Sequence, residues 1–185
     1  MILRRPDPPP EVRLRPAHQR DAPLLGRWRA EASVRRYQPL NDMSISQLRA
    51  DLGKQRMADL YRDYGDKFQW IVLVDGTPGG WITLVILNWD HGLAEVGYTL
   101  SETYQRRGLM VTAMHGLLRE LFTRTSLERI EARCAIENLA SQKVLDRLGF
   151  QREGRLRSYF RLHGKRVDNF LFALLKSDFL AKFET

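Results

Sequence analysis

The sequence contains a single cysteine, Cys134, so no disulfide can form within the chain. Scarcity of cysteine fits a reducing compartment and argues against a small disulfide-rich secreted domain. No apolar run approaches the ~20 residues of a membrane-spanning helix, and Trp81 to Leu87 has the length of a buried strand. The N-terminus passes from Arg4 and Arg5 into prolines, without the apolar segment of a signal peptide. We therefore expect a cytoplasmic protein that does not enter a membrane.

The sequence also lacks internal repeats and any His, Cys and carboxylate grouping with metal-ligand spacing, so we expect no metal. Its 43% hydrophobic and 28% charged residues are ordinary for a folded protein, and 185 residues suit one domain. We predict a flexible, proline-containing N-terminal lead-in over residues 1–10 and a single domain over residues 11–185.

Positive charge is in excess, with a net charge of +8 and a pI near 10.0. This balance favours an anionic partner such as nucleic acid, a ribosome or a polyphosphate cofactor, although a solvated basic surface explains it equally well. The basic residues form no polybasic tail, and zinc-finger, cold-shock and RNP-type aromatic patterns are absent. We expect no direct binding of nucleic acid.

Hydrophobic periodicity divides the first hundred residues into a strand, two helices and three strands. A short strand is predicted over residues 11–15, followed by a helix with Asp21 at its N-cap. A second helix begins at Ser44, where Ser44 and Gln47 have capping-box spacing, and extends to about residue 64, with an interruption near Gly53 left open. Strands over residues 68–74, 81–87 and 93–100, joined by tight turns, predict an antiparallel meander.

The rest of the chain alternates between the hydrophobic periodicity of helices and that of strands. A helical stripe follows Gly108, a strand covers residues 130–136, and a short helix ends at Gly149. Two strands over residues 150–160 and 167–175 form a closing hairpin. The predicted order is β-α-α-β-β-β-α-β-α-β-β, an α/β protein with a mixed sheet and helices on its faces.

The most informative segment runs from Tyr98 to Met110, where a strand ends and a long helix begins after a short polar loop. Exposed N–H groups at a helix start, together with the positive end of its dipole, suit a phosphate group. Arg106 and Arg107 add positive charge, and Gly108 allows close approach of the main chain. Many helices start in this way, so the loop alone does not identify a ligand.

Two segments together are similar to a known family. Gln105-Arg-Arg-Gly108-Leu-Met110 resembles the Q/R-x-x-G-x-G/A loop of the GCN5-related N-acetyltransferases (GNAT family), whose amides hold the CoA pyrophosphate. Asn138-Leu-Ala-Ser141, followed by residues 143–150 and Glu153-Gly154, resembles that family's second CoA-facing segment. The opening, with Leu14-Arg15-Pro16, also resembles the RimJ/RimL branch of ribosomal-protein alanine acetyltransferases. The resemblance covers roughly residues 11–180 and is least diagnostic over residues 32–68.

The resemblance implies a GNAT fold and acetyl-CoA as cosubstrate. It assigns cofactor binding to the main chain of two strand residues, to the phosphate loop and to the second segment. These residues are Tyr98, Leu100, Gln105, Arg106, Arg107, Gly108, Leu109, Met110, Asn138 and Lys143. There are two departures from the family pattern. Met110 replaces a small residue, and Leu145 stands where many relatives carry a tyrosine that protonates the departing thiolate.

Acetyl transfer to an amine requires a neutral amine, a partner for the oxyanion and a proton for the CoA sulfur. The resemblance offers Ser141 as the proton donor, although a small residue in the first turn of a helix explains it as well. Glu95, on the strand expected to line the acetyl site, is the candidate base acting through water, or else a solvated residue. His91, His115 and Cys134 fit surface or packing roles better, whereas Asp168, Tyr159 and Arg157 either contact the acceptor or fix the hairpin.

The acceptor is best predicted as a protein N-terminus. An α-amine titrates near ~8 and a lysine near ~10.4, so a site without a strong base suits the α-amine. A small amine or an antibiotic remains an alternative acceptor. A non-catalytic CoA-binding regulator and a nucleic-acid-binding module are weaker alternatives. Relatives often form dimers, which leaves a homodimer open.

Overall fold

The computed structural model describes residues 8–183, so most of the predicted lead-in lies outside the described residues. Seven strands form one sheet in the order β1-β2-β3-β4-β5-β7-β6. The strands are β1 (Val12–Pro16), β2 (Lys67–Val74), β3 (Thr77–Asn88), β4 (Leu93–Leu100), β5 (Arg129–Ala135), β6 (Gln151–Leu162) and β7 (Lys165–Leu175). The helices are α1 (Ala22–Ala30), α2 (Ala32–Arg35), α3 (Ile45–Lys54), α4 (Met57–Leu60), α5 (Leu109–Arg124), α6 (Leu139–Leu148) and α7 (Lys176–Phe183).

The sheet is mixed, as predicted. Strands β2 to β4 form the predicted antiparallel meander, β1 pairs antiparallel with β2, and β7 pairs antiparallel with both β5 and β6. The pairing of β4 with β5 is parallel, and α5 makes the crossover between these two strands. Within residues 8–183, no helix is long and apolar enough to cross a bilayer.

Hydrophobic residues pack on both faces of the sheet. The larger cluster lies between the sheet and helices α5, α6 and α7, and includes the predicted stripe of α5. The smaller cluster lies under α1 and α3, where Trp28 stacks on Trp81 with ring centroids 6.1 Å apart. Burial of such apolar surface is the main force that holds the helices on the sheet.

Helix ends largely follow the predicted capping. Ser44 and Gln47 form the capping box of α3, and Gly149 ends α6 with a positive φ of 90°. Asp21 occupies the N-cap position of α1, but its side chain does not cap that helix. Its two carboxylate oxygens instead accept hydrogen bonds from Arg15, each at 2.7 Å, so this carboxylate joins β1 to the start of α1.

The predicted second helix is two shorter helices, and the break lies after Gly53. Helix α3 ends at Lys54 because Gln55 takes an extended conformation. The Gln55 side chain donates to the main-chain oxygen of Ala17 at 2.6 Å and accepts from the Gln69 N–H at 2.7 Å. A helical Gln55 would leave these main-chain groups without that partner.

The C-terminal helix α7 was not predicted. It begins directly after β7, so no turn residues separate the two elements. Phe179 anchors this helix, since it is fully buried and its ring lies 5.5 Å from the rings of Phe122 and His115. His115 therefore has the packing role that the sequence favoured.

Candidate active site

The sheet opens between β4 and β5. The two strands pair only over three residues each, from Leu93 opposite Arg129 to Glu95 opposite Glu131. Beyond Glu95, β4 continues along β3 to Leu100, while β5 continues along β7. The result is a gap that widens toward the C-terminal ends of both strands.

Main-chain groups of β4 face this gap. The N–H of Ser101 donates to Gly79 at 2.9 Å, on the β3 side. Alternate residues of a strand direct their N–H and C=O groups to opposite edges, so Tyr98 and Leu100 direct theirs into the gap. Glutamine side chains donate to both carbonyls, Gln38 to Tyr98 at 3.2 Å and Gln105 to Leu100 at 2.9 Å. The two N–H groups are thus placed to bind an extended ligand.

The phosphate loop lies at one end of the gap. Arg106 and Gly108 have positive φ angles of 63° and 74°, so the chain turns sharply before α5 begins at Leu109. Arg106 and Arg107 are exposed. The first N–H groups of a helix have no partner within that helix, and here the loop that leads into the helix carries two arginines. This arrangement fits a diphosphate.

Met110 does not obstruct the loop. The side chains of Leu109 and Met110 are both buried in the core, at 3% and 5% exposure. Each of these residues can therefore contribute to binding only through its main-chain N–H. The bulk of Met110, which departs from the family pattern, is directed away from the phosphate-binding side.

The junction between α1 and α2 holds the loop in place. The Glu31 carboxylate accepts from the Ser101 hydroxyl at 2.8 Å and from the Glu102 N–H at 2.9 Å. Sequence reasoning missed Glu31, because it belongs to no motif and precedes its partners by about seventy positions. The signal that could have found it was a lone acidic residue between two helices, which is too common to be useful.

Ser141 and Tyr98 meet across the gap. Asn138 caps α6 by accepting from the Ser141 N–H at 3.1 Å, which places Ser141 in the first turn. The Ser141 Oγ lies 2.9 Å from the hydroxyl of Tyr98 on β4. Lys143 is exposed on the same helix. The structure therefore brings together the predicted proton donor and a phenol that was selected only for its main chain.

Burial keeps this hydroxyl cluster protonated. It raises the pKa of Tyr98, and a hydrogen bond with Ser141 opposes the rise only in part. It also raises the pKa of the Cys134 thiol to about 11, again partly opposed by the Ser141 hydroxyl. Cys134 is buried, as predicted, and its raised pKa disfavours the thiolate that a nucleophile requires.

Glu95 lies on the other face of the sheet. Side chains alternate along a strand, so Glu95 and Tyr98 point to opposite faces. Glu95 forms an ion pair with Arg133, which lies 3.4 Å from Glu131. Arg129 extends the network by pairing with Glu131, so Glu95 is part of a charge network and is not a freely solvated carboxylate. Its role as a base stays a prediction.

The remaining candidates are placed as follows. His91 is exposed in the turn before β4, and Leu145 is fully buried in the core. Asp168 fixes the last hairpin, because it accepts from Arg155 at 2.6 Å and from the Ser158 N–H at 2.8 Å. Among residues 8–183, no three His, Cys, Asp or Glu side chains are grouped as a metal site requires.

Together these features form a site for an extended ligand with a phosphate-bearing end, a shape and charge that match acetyl-CoA. The chain matches the model of the acetyltransferase (GNAT) domain over residues 11–151. It therefore belongs to the GNAT family and is an acetyl-CoA-dependent acyltransferase, as its sequence indicated.

Known relatives agree with this membership. An uncharacterized N-acetyltransferase, p20 of Bacillus licheniformis, is 31% identical over 168 residues, which cover 90% of this chain and 93% of the relative. The [ribosomal protein uS5]-alanine N-acetyltransferase of Escherichia coli is 32% identical over 83 residues, or 45% of this chain and 43% of that enzyme.

Solved structures share the fold. Mycobacterium smegmatis RimJ, in complex with CoA-disulfide, aligns with a TM-score of 0.76 and 25% identity, covering 92% of this chain and 88% of its own. Mutant forms of the spermidine/spermine N-acetyltransferase SpeG from Vibrio cholerae align with a TM-score of 0.77 and 21% identity, covering 92% and 97%. The predicted GNAT fold is confirmed.

Proposed function

We propose that this enzyme transfers the acetyl group of acetyl-CoA to the α-amine of a protein N-terminus. The observation that carries the proposal is the gap between β4 and β5. One end of the gap is a helix start with two exposed arginines, and the Tyr98 and Ser141 hydroxyls meet across it. The substrate's thioester would lie beside this hydroxyl pair.

Binding of acetyl-CoA would complete the open edge of β4. The N–H groups of Tyr98 and Leu100 would donate to the pantetheine arm and help polarise the thioester carbonyl. The N–H groups at positions 107–110, with the side chains of Arg106 and Arg107, would bind the pyrophosphate. Because the Asn138 Oδ1 already accepts from the Ser141 N–H, its side-chain NH₂ would be the group that donates to the carbonyls of the pantetheine arm. Lys143 would add positive charge to the same side.

The reaction balances without a further reactant. The amine nitrogen forms a bond to the thioester carbon, the carbon–sulfur bond breaks, the nitrogen loses one proton and the sulfur gains one. Ser141 would supply the proton to sulfur. Glu95, on the opposite face, would accept the amine's proton through water, although its carboxylate is shared with Arg133. An α-amine suits such a shared base better than a lysine does, since it titrates ~2 units lower.

The relatives support a protein acceptor. The Escherichia coli relative acts on an alanine of ribosomal protein uS5, as its name states. An acceptor of this kind would place the present enzyme in the cytoplasm. The spermidine/spermine acetyltransferase among the structural neighbours makes a polyamine the acceptor to test against it.

An acetyl-CoA consumption assay tests the proposal. The purified chain is offered N-terminal peptides, peptides with a blocked α-amine and a free lysine, spermidine, and an aminoglycoside. We expect turnover with free α-amines and little with the blocked peptides. Ser141→Ala should lower kcat by ~10²-fold with a normal fold.

Two outcomes would change the assignment, and a third would change only the mechanism. Turnover on spermidine or the aminoglycoside alone would retire the protein acceptor. Binding of acetyl-CoA without turnover on any amine would favour a regulator. Near-normal turnover of the Ser141→Ala variant would remove Ser141 from the mechanism and leave the function standing.

A further inference from the structure

Tyr98 places its hydroxyl beside Ser141, the residue proposed above as the proton donor. The phenol extends from β4 to α6 and lies 2.9 Å from the Ser141 Oγ and 3.2 Å from the Ser141 carbonyl oxygen. Leu145, one turn further along α6, is fully buried and has no group that could donate a proton. The chain therefore has no donor at position 145, but it places one beside Ser141 from a different element.

The hydrogen bonds at this contact have two arrangements. A hydroxyl has one hydrogen to donate. If Tyr98 donates to the Ser141 carbonyl, Ser141 can donate its hydrogen to Tyr98 and has none for sulfur. If Tyr98 donates to the Ser141 Oγ, Tyr98 does not take the Ser141 hydrogen, which is then available to the CoA sulfur or, before the ligand binds, to the Cys134 sulfur. The second arrangement has the shorter contact, and the Ser141 carbonyl already accepts within the i→i+4 ladder of α6.

We propose that Tyr98 is a positioning residue for acetyl transfer: its phenol donates to the Ser141 Oγ and thereby directs the Ser141 hydrogen toward the CoA sulfur. This inference rests on the proposed function. As the carbon–sulfur bond breaks, Ser141 gives its proton to sulfur, and the hydrogen bond from Tyr98 stabilises the negative charge that grows on the Ser141 oxygen. Tyr98 keeps its own proton. The amine's proton, taken up by Glu95 through water, is released to solvent, and Ser141 regains one proton from solvent, so that the net transfer is one proton from nitrogen to sulfur.

The test is a double-mutant cycle on the full chain with acetyl-CoA and an accepted amine. Tyr98→Phe removes only the hydroxyl, and we expect a ~10-fold fall in kcat, the equivalent of one hydrogen bond worth ~1.4 kcal/mol, with the KM for acetyl-CoA unchanged. In the Ser141→Ala background, the same substitution should cost less than ~2-fold, because there is no longer a hydroxyl to orient. A merely structural role would cost the same in both backgrounds.

Tyr61→Phe is the matched control. Tyr61 also donates from a partly buried phenol, to Glu120, which is three turns along α5 from the phosphate loop. Its loss should lower stability without changing kcat. If Tyr98→Phe does not fold, 3,5-difluorotyrosine at position 98 preserves the shape and lowers the phenol's pKa. The fall of kcat at high pH should then begin at a lower pH than in the natural protein.

The outcomes separate the two proposals. Three results would each overturn the role of Tyr98: equal losses of kcat in both backgrounds, an unchanged kcat in Tyr98→Phe, or an unshifted pH profile of kcat with difluorotyrosine. Turnover by the natural protein would still support the acetyltransferase assignment in each case. A natural protein that binds acetyl-CoA but acetylates no amine would overturn both.

Discussion

Replacing Asp21 with asparagine should destabilise the fold by about 3 kcal/mol at neutral pH. The Asp21 side chain is only 7% exposed and that of Arg15 26%, and they share two hydrogen bonds of 2.7 Å. Asp21 also accepts from the His18 N–H at 2.8 Å, a bond that asparagine can keep. Removing one partner of a buried pair leaves a charge without compensation and costs about 3–5 kcal/mol, and the partial exposure of Arg15 places this case at the lower end.

Thermal unfolding followed by circular dichroism measures this loss. For a domain of this size, 1 kcal/mol shifts Tm by about 2–4 °C, so Asp21→Asn should lower Tm by about 6–12 °C. Glu11→Gln is the control, because the Glu11–Arg13 pair is exposed at 57% and 72% and should contribute less than ~1 kcal/mol.

The loss should also depend on pH. Burial raises the pKa of Asp21, but the Arg15 guanidinium and the His18 N–H together outweigh it, so the pKa is lowered overall. A carboxylate with a lowered pKa in the folded state stabilises fully above its ordinary pKa of ~3.9, and this stabilisation disappears as the pH falls through the lower folded-state value. The difference between the two proteins should therefore shrink in acid. A difference below 1 kcal/mol at pH 7, or one that is constant down to pH ~2, would refute the reasoning.

Two further substitutions test the site, and a third tests the packing of the sheet that holds it. Arg107→Glu should raise the KM for acetyl-CoA by ~10-fold or more and leave the KM for the amine nearly unchanged, because it opposes the phosphates; equal effects on the two constants would argue against a phosphate role. Glu31→Ala should also raise the KM for acetyl-CoA, by roughly 3- to 10-fold, since the loop loses two hydrogen bonds, and titration calorimetry should show the same weakening. Gly80→Ala should destabilise by about 1–3 kcal/mol in urea unfolding, because the new Cβ would lie 2.3 Å from the Thr99 carbonyl oxygen; unchanged stability would mean that β3 and β4 are further apart than described.

The sequence was a good guide wherever the signal was local. The stripe of α5, the capping box at Ser44 and the glycine that ends α6 each lie within one element, so spacing alone predicted them. The loop proposed to bind phosphate also lies where the sequence predicted it, between a strand end and a helix start that are consecutive in the chain. Periodicity left the interruption near Gly53 open, because the helix ends where the Gln55 side chain bonds the main chain of Ala17 and of Gln69, which are distant in sequence.

The contacts that assemble the site could not be predicted from the spacing of residues in the sequence. Tyr98 meets Ser141 across 43 positions, and Glu95 meets Arg133 across 38. Such pairs depend on which strands are neighbours and on the register between them, and neither follows from the pattern of a single strand. The face that a residue occupies is set in the same way, which is why Glu95 and Ser141 could be proposed together although they lie on opposite sides of the sheet.

The short pairing between β4 and β5 implies that a ligand bound between these strands would also stabilise the fold. Three residue pairs join a four-stranded part of the sheet, β1 to β4, to a three-stranded part, β5 to β7, so few backbone hydrogen bonds link the two parts. A ligand bound in the gap would link the two parts of the sheet. Because it binds only the folded state, it should raise Tm and slow amide exchange along the free edge of β4. The concentration of acetyl-CoA would then set the lifetime of the folded enzyme as well as its rate of turnover.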